Sequence, residues 1–100
     1  MTLEEFALAF EEFSEAVTLC EFELVEPKRS QRKDLHAFLL LEGLTRGQCQ
    51  PMVSCATHDL IWLGVSVEDV AAAITREQVQ ELVRCGVHYD ESVDSLSMNV

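Results

Sequence analysis

The first residues of the chain follow a helical pattern of apolar and polar positions. Apolar residues recur at alternating spacings of three and four, at Leu3, Phe6, Phe10, Phe13 and Val17. Five glutamates lie between them on the opposite face, and Thr2 followed by Glu5 has the spacing of a helix-capping box. The pattern predicts an amphipathic helix with one face buried against the core.

The next two segments predict strands. Thr18–Val25 alternates apolar and polar positions, as a half-buried strand does, and Leu35–Glu42 is apolar enough to be a central strand. Pro27 and Gly43 are expected to end them. The basic residues between them, Lys28–Lys33, are then expected to form the tip of an antiparallel hairpin.

The middle of the chain predicts a second hairpin. Gly47–Pro51 has the composition of a turn. Met52–Ala56 and Leu60–Val65 have the apolar character of strands, and His58-Asp59 between them predicts a tight connection. The second of these strands is a continuous apolar run without clean alternation, so its pairing is less firmly specified.

Two short helices are expected after this hairpin. Each begins at a capping-box pattern; the two are Ser66 with Asp69 and Thr75 with Gln78. The first helix is expected to run through Val70–Ile74 and the second through Arg76–Cys85, where Gly86 supplies a left-handed stop.

The end of the chain returns to the alternation of strands. Val87–Tyr89 and Leu96–Val100 alternate on either side of a turn-like segment, which predicts a C-terminal hairpin. The element order becomes α-β-β-β-β-α-α-β-β in one domain spanning residues 1–100. Adjacent strands between helices favour an α+β fold with an antiparallel sheet of about four to six strands, rather than βαβ crossovers.

Negative charge is concentrated at the start of the chain. The net charge is −11, and residues 1–26 contain eight of the 18 acidic residues but no lysine or arginine. This balance argues against direct binding of nucleic acid and favours either a basic partner surface or plain solubility. The candidate partner-binding residues share the outer face of the first helix; they are Glu4, Glu5, Leu8, Glu11, Glu12 and Glu15.

The sequence also predicts the compartment. No basic segment precedes the first apolar positions, as it would in a signal peptide, and no apolar run is long enough to cross a membrane. A cytoplasmic protein without membrane contact is therefore expected. The cysteines are scattered, which favours buried thiols in a reducing compartment; they are Cys20, Cys49, Cys55 and Cys85.

One pattern has the composition of a metal site. Cys55 with His58 and Cys85 with His88 are two Cys-x-x-His units, and together they supply the donors of a closed structural zinc site. Alternation along a strand places Cys55 and His58 on opposite faces, and Cys85 extends the buried stripe of the helix before it. No metal site is therefore predicted, although a small structural-zinc module stays open as an alternative.

The function expected from these features is binding rather than catalysis. No phosphate-binding motif or nucleophile elbow occurs, so neither catalytic residues nor a cofactor are expected. The leading hypothesis is a small regulator or inhibitor whose acidic helix face engages a basic surface of a protein partner.

Nucleic-acid mimicry is a sharper form of this hypothesis. The glutamates would occupy the positions of phosphates in a nucleic-acid-binding enzyme or complex. Small acidic proteins of phages and mobile elements that block restriction or CRISPR machinery have this size and charge. An alternative from another class is an accessory or homodimeric subunit that assembles through its terminal strand, Leu96–Val100.

Overall fold

The computed structural model describes residues 1–16, 22–46 and 52–99. Within these residues the order is α-α-β-β-α-α-β-β. The helices are α1 (Leu3–Ala16), α2 (Lys33–Thr45), α3 (Val67–Ala73) and α4 (Arg76–Arg84). The strands are β1 (Val53–Ala56), β2 (Leu60–Leu63), β3 (Val87–Asp90) and β4 (Ser95–Asn99). The predicted α+β class with an antiparallel sheet is confirmed.

The predicted helix starts are confirmed by their capping hydrogen bonds. Glu5 N–H donates to Thr2 Oγ1 over 3.1 Å, and Thr2 N–H donates to Glu5 Oε1 over 2.9 Å. Thr75 and Gln78 exchange the same pair of bonds at the start of α4. At the start of α3, the side chain of Ser66 accepts the N–H of Asp69. These side chains satisfy backbone donors that the first turn of a helix leaves unpaired.

The predicted strand Leu35–Glu42 is wrong, because this segment lies within α2. Its run of apolar residues is too uniform to show a period of either two or 3.6, whereas leucine and alanine are strong helix formers. Gly43 does not end the element, since the helix continues to Thr45 and ends at Arg46, whose φ is 56°. The basic segment Lys28–Lys33 consequently leads into a helix and is not a hairpin tip.

The predicted strand Thr18–Val25 is also wrong in its described part. Phe22–Leu24 forms a 3₁₀ turn in which Leu24 is exposed, while the adjacent Val25 is buried. Lys28 Nζ stabilises the turn by donating to the carbonyl oxygens of Glu23 and Val25, over 3.2 and 3.1 Å. The remaining predictions for residues 17–21, 47–51 and 100, which include Cys20 and Cys49, lie outside the described residues.

The sheet has the strand order β1-β2-β4-β3, with antiparallel neighbours throughout. Two of the three predicted hairpins, β1–β2 and β3–β4, are confirmed, whereas the first fails because Leu35–Glu42 is helical. Met98 of β4 pairs with Ile61 on one side and with Val87 on the other, so both edges of β4 are hydrogen-bonded. The described part of the terminal strand, Ser95–Asn99, thus lies inside the sheet and not at its edge, where the alternative of assembly through Leu96–Val100 would require it.

The helices cover one face of the sheet. Strand register places Ile61, Met98 and Val87 on that face, and α1 and α4 pack against β3 and against each other. Phe6 and Phe10 of α1 are buried in this core, as the apolar stripe predicts. None of the described helices combines the length and the apolar character needed to cross a bilayer.

A buried histidine connects α2 to α4. The side chain of His36 is fully buried, and its Nδ1 accepts the backbone N–H of Arg29 over 3.0 Å. That bond requires the lone pair of Nδ1, so the ring proton is assigned to Nε2. Nε2 then donates to Glu81 Oε1 of α4 over 2.8 Å. One ring thus joins the segment before α2, α2 itself and α4.

Candidate functional site: an acidic groove beside the first helix

One stripe of α1 combines an exposed leucine with unpaired glutamates. Glu4, Leu8, Glu11 and Glu15 follow one another at spacings of four, three and four, which places them on one line along the helix. All four are exposed, and Leu8 has 58% of its surface accessible. Among the described residues, none of the three glutamates forms an ion pair.

A groove runs between this stripe and β3. Two adjoining depressions of about 350 and 300 Å³ meet at Ala7, Tyr89 and Glu91. We call this the acidic groove; its main lining residues are Glu4, Ala7, Leu8 and Glu11 of α1, with His88, Tyr89 and Glu91 from β3 and the turn after it. Among the described residues, no lysine or arginine lines it. Three carboxylates therefore line the groove without a lysine or arginine beside them among the described residues.

The other two glutamates proposed from the sequence have internal roles. Glu5 belongs to the capping box, and hydrogen bonds from the Thr2 backbone and side chain lower the pKa of its carboxyl group. Glu12 forms an ion pair with Arg76 of α4, whose guanidinium lies 4.9 Å from the ring centroid of Phe13. The structure thus separates the six candidates into four on the stripe and two that contribute to the start and the packing of α1.

Tyr89 forms the floor of the groove and joins it to the core. Its ring centroid lies 5.3 Å from that of Phe6 and 6.1 Å from that of Phe10. Its hydroxyl donates to Asp94 Oδ1 over 2.8 Å. Burial, followed by the hydrogen bond to Asp94, raises the pKa of Tyr89 to about 12. At neutral pH the hydroxyl therefore stays protonated and keeps its bond to Asp94.

This environment predicts an abnormal tyrosine titration. The chain has one tyrosine, so an ultraviolet titration of the folded protein reports Tyr89 alone. We expect a midpoint near pH 12, against the ordinary value of 10.0. Between these values the unfolded chain loses the proton first, so the free energy of unfolding falls as pH rises through this range.

The Asp94→Asn variant is the control for this titration. Asparagine tolerates the left-handed backbone of position 94, where φ is 50°, but it removes the negative charge beside the hydroxyl. The midpoint should then move down towards 10.0, although burial still holds it above that value. A wild-type midpoint at the ordinary value would contradict the described environment of Tyr89.

The four zinc candidates do not come together. Strand pairing places Cys55, Trp62, Ser97 and His88 in one row across the outer face of the sheet. Three strand spacings, about 14 Å, separate the two ends of that row, too far for one zinc ion to join Cys55 and His88. No group of three or more potential ligands occurs among the described residues.

The two described cysteines have different environments. Cys85 is fully buried where α4 ends, as the sequence predicts. Cys55 is exposed, so the prediction of a buried thiol is wrong at this position. The reason is that β1 is an edge strand and pairs Cys55 with Trp62 on the face that the helices leave open. His58, in the turn between β1 and β2, is exposed as well.

The chain matches no protein-family model, no curated protein and no solved structure. A function must therefore be argued from the chemistry of its own surface. The acidic groove offers carboxylates that accept hydrogen bonds from ammonium or guanidinium groups, beside the apolar surfaces of Ala7, Leu8 and Tyr89. This combination suits lysine and arginine, because their long aliphatic stems pack on apolar surface while their charged ends stay near water.

Sequence reasoning missed the β3 side of the groove. Asp90–Asp94 is visible in the sequence as an acidic turn, but its distance along the chain from α1 gives no sign that the two are adjacent. Tyr89 supplies the one local signal, since tyrosine is enriched among the residues that dominate protein interfaces. The juxtaposition itself depends on the packing of β3 under α1.

Proposed function

We propose that this protein is a small, non-enzymatic regulator or inhibitor that binds a basic surface of a partner protein through the acidic groove. The observation that carries the proposal is the line Glu4–Leu8–Glu11–Glu15 with Glu91 across the groove, because these carboxylates have no ion-pair partner among the described residues. Leu8 supplies an apolar anchor at the centre of the line.

Charge gives this surface a kinetic role as well. A face of one sign raises the association rate with an oppositely charged partner, by about tenfold to a thousandfold at low salt. Most of the excess acid of a chain with net charge −11 lies in residues 1–26, which include the stripe. A basic partner would therefore be steered towards α1 before any close contact forms.

The groove also supports the mimicry form of the proposal. A helix that carries carboxylates along one line presents repeated negative charge to a groove that otherwise holds a phosphate backbone. We therefore propose that the partner is a nucleic-acid-binding enzyme or complex. In this form of the proposal the protein acts in the cytoplasm, as the anti-defence proteins of phages and mobile elements do. The protein itself would not bind nucleic acid, since its charge opposes phosphate contacts.

The charge-reversal variant Glu4→Lys, Glu11→Lys, Glu15→Lys tests the proposal. The tagged protein would be used to capture partners from its native cell extract, and the binding of a recovered partner would then be measured at low and high salt, about 0.05 and 0.5 M. We expect the wild type to lose about tenfold or more in association rate at high salt. The variant should lose binding even at low salt.

A variant with the same change in net charge is the matched control. Glu23→Lys, Glu26→Lys, Glu68→Lys reverses three exposed glutamates away from the groove and should bind nearly as the wild type does. If both triple variants lose binding equally, the acidic groove is not the interface. Competition with duplex DNA separates the two forms of the proposal, because DNA displaces a mimic but leaves a complex at any other site intact.

A further inference from the structure

Helix α2 exposes two leucines on the side that faces solvent, in addition to the apolar residues on the side that faces the core. Ala37, Leu40 and Leu41 are buried, whereas Leu35 and Leu39 have 43% and 45% of their surfaces exposed. Leu35 and Leu39 are four positions apart, so they are neighbours on the outer surface of the helix. Two neighbouring exposed leucines form a small apolar patch on this side of the helix.

The exposed side of α2 has the spacing of a helix–helix seam. Leu35, Leu39 and Glu42 follow one another on the helix at spacings of four and three, Arg32 caps the helix three positions before Leu35, and all four are exposed. Alternation of three and four is the spacing of the contact positions in coiled coils. We call these four residues the α2 seam. It has leucines at its centre and one charge of each sign at its ends.

The α2 seam is complementary to itself in the antiparallel direction. A two-fold axis midway between Leu35 and Leu39 places each of these leucines opposite the other leucine of a second copy. The same axis places Arg32 opposite Glu42 of the second copy, because Arg32 precedes Leu35 by three positions as Glu42 follows Leu39 by three. One operation therefore pairs all four positions without a like-charge contact.

Local charge opposes a second copy less at this surface than at α1. Two chains of net charge −11 repel each other, most strongly where the glutamates of α1 meet. Residues 32–46 instead contain three cations, Arg32, Lys33 and Arg46, against two anions, Asp34 and Glu42. Arg32 pairs with Asp34 over 2.8 Å within its own chain, but its side chain stays 71% exposed and can also face a carboxylate of another chain.

We propose that the α2 seam is the interface of a two-fold symmetric homodimer, in which the α2 helices of two copies pack antiparallel. The helix has 13 residues and is about 20 Å long. One such helix from each chain makes an interface at the small end of the specific range, so the dimer is weak, with a dissociation constant of about 1–100 µM. Dimerisation is independent of the acidic groove, which lies on α1 and β3.

Sedimentation equilibrium over a range of protein concentrations tests the apolar part of the interface. The wild type should pass from monomer to dimer as the concentration rises through the micromolar range. Leu39→Lys should remain a monomer. Leu8→Lys replaces an equally exposed leucine of α1 and should dimerise as the wild type does. A wild type that is monomeric up to about 1 mM overturns the proposal, as does a dimer that Leu39→Lys leaves unchanged.

Charge exchange tests the antiparallel direction. Arg32→Glu places two carboxylates opposite each other at both ends of the dimer, and Glu42→Arg places two cations there. Each is expected to weaken the dimer by about tenfold. The double variant restores both pairs and the original net charge, so it should dimerise again, with circular dichroism showing that each variant is folded.

The single variants separate local pairing from net charge. Arg32→Glu makes the chain more acidic and Glu42→Arg makes it less acidic, so general repulsion would shift dimerisation in opposite directions. Pairing in the seam predicts that both weaken it. A double variant as weak as the single variants would overturn the antiparallel arrangement.

Discussion

In the Phe6→Ala variant, the free energy of unfolding is expected to fall by about 3–5 kcal/mol. Phe6 is fully buried, and its ring centroid lies 4.9 Å from that of Phe10 and 5.3 Å from that of Tyr89. The substitution removes apolar contacts on both sides and leaves a cavity between α1 and β3. Urea denaturation followed by circular dichroism measures the change, with an unchanged slope showing that the surface exposed on unfolding is the same.

Leu8→Ala is the matched control for Phe6→Ala. It shortens an apolar side chain on the same helix, but Leu8 is 58% exposed and leaves no cavity. Its effect on the free energy of unfolding should stay within about 0.5 kcal/mol. If Phe6→Ala cost less than about 1 kcal/mol, the described packing of α1 on β3 would be incorrect.

The His36→Leu variant is expected to lose about 2–4 kcal/mol of unfolding free energy. Leucine is apolar and of similar size, so little packing is lost. The backbone N–H of Arg29 and the carboxylate of Glu81 would each lose a partly buried hydrogen bond. An unpaired buried polar group costs its full desolvation, which exceeds the net gain from an ordinary hydrogen bond.

Two further variants separate the contacts of His36. The side-chain oxygen of asparagine lies close to the position of Nδ1 and can accept the Arg29 N–H, whereas the amide nitrogen of glutamine lies close to that of Nε2 and can donate to Glu81. His36→Asn and His36→Gln should therefore each recover part of the loss seen with leucine. Equal stability of His36→Leu and the wild type would exclude a structural role for both hydrogen bonds.

Three helix starts and two of the three predicted hairpins were correct, because these features depend on neighbouring residues. A threonine or serine cap and the residue three positions later satisfy each other's backbone groups, whatever the rest of the fold does. The caps at Thr2 and Thr75 make both of these bonds, and the cap at Ser66 makes one of them. The two hairpins were equally local, because each joins consecutive strands through a short turn.

The α2 segment could not be assigned in the same way. Its apolar residues lie on both the buried and the exposed side of the helix, so no period separates helix from strand. A central strand would bury every leucine of this segment, although Leu35 and Leu39 are exposed in the structure. If the α2 seam pairs two copies, the uniform pattern is the expected signature of a helix covered on both sides.

The sequence predicted the α1 side of the candidate site but not the β3 side. The line of Glu4, Leu8 and Glu11 follows from helical geometry alone. Glu5 and Glu12 could not be separated from that line without the capping bond to Thr2 and the ion pair to Arg76. That Glu91 and Tyr89 lie beside α1 could be seen only in the tertiary structure, because no local sequence pattern indicates that contact.

The central position of β4 has a consequence for the order of folding. Leu60 and Trp62 of β2 pair with Asn99 and Ser97, which lie 39 and 35 positions later in the chain. Each hairpin can close on its own through a short loop, whereas the sheet is joined only when these distant segments meet and the intervening helices have packed. Loop closure between β2 and β4 is therefore the slow, non-local event, and until it occurs both hairpins present unpaired backbone edges to other chains.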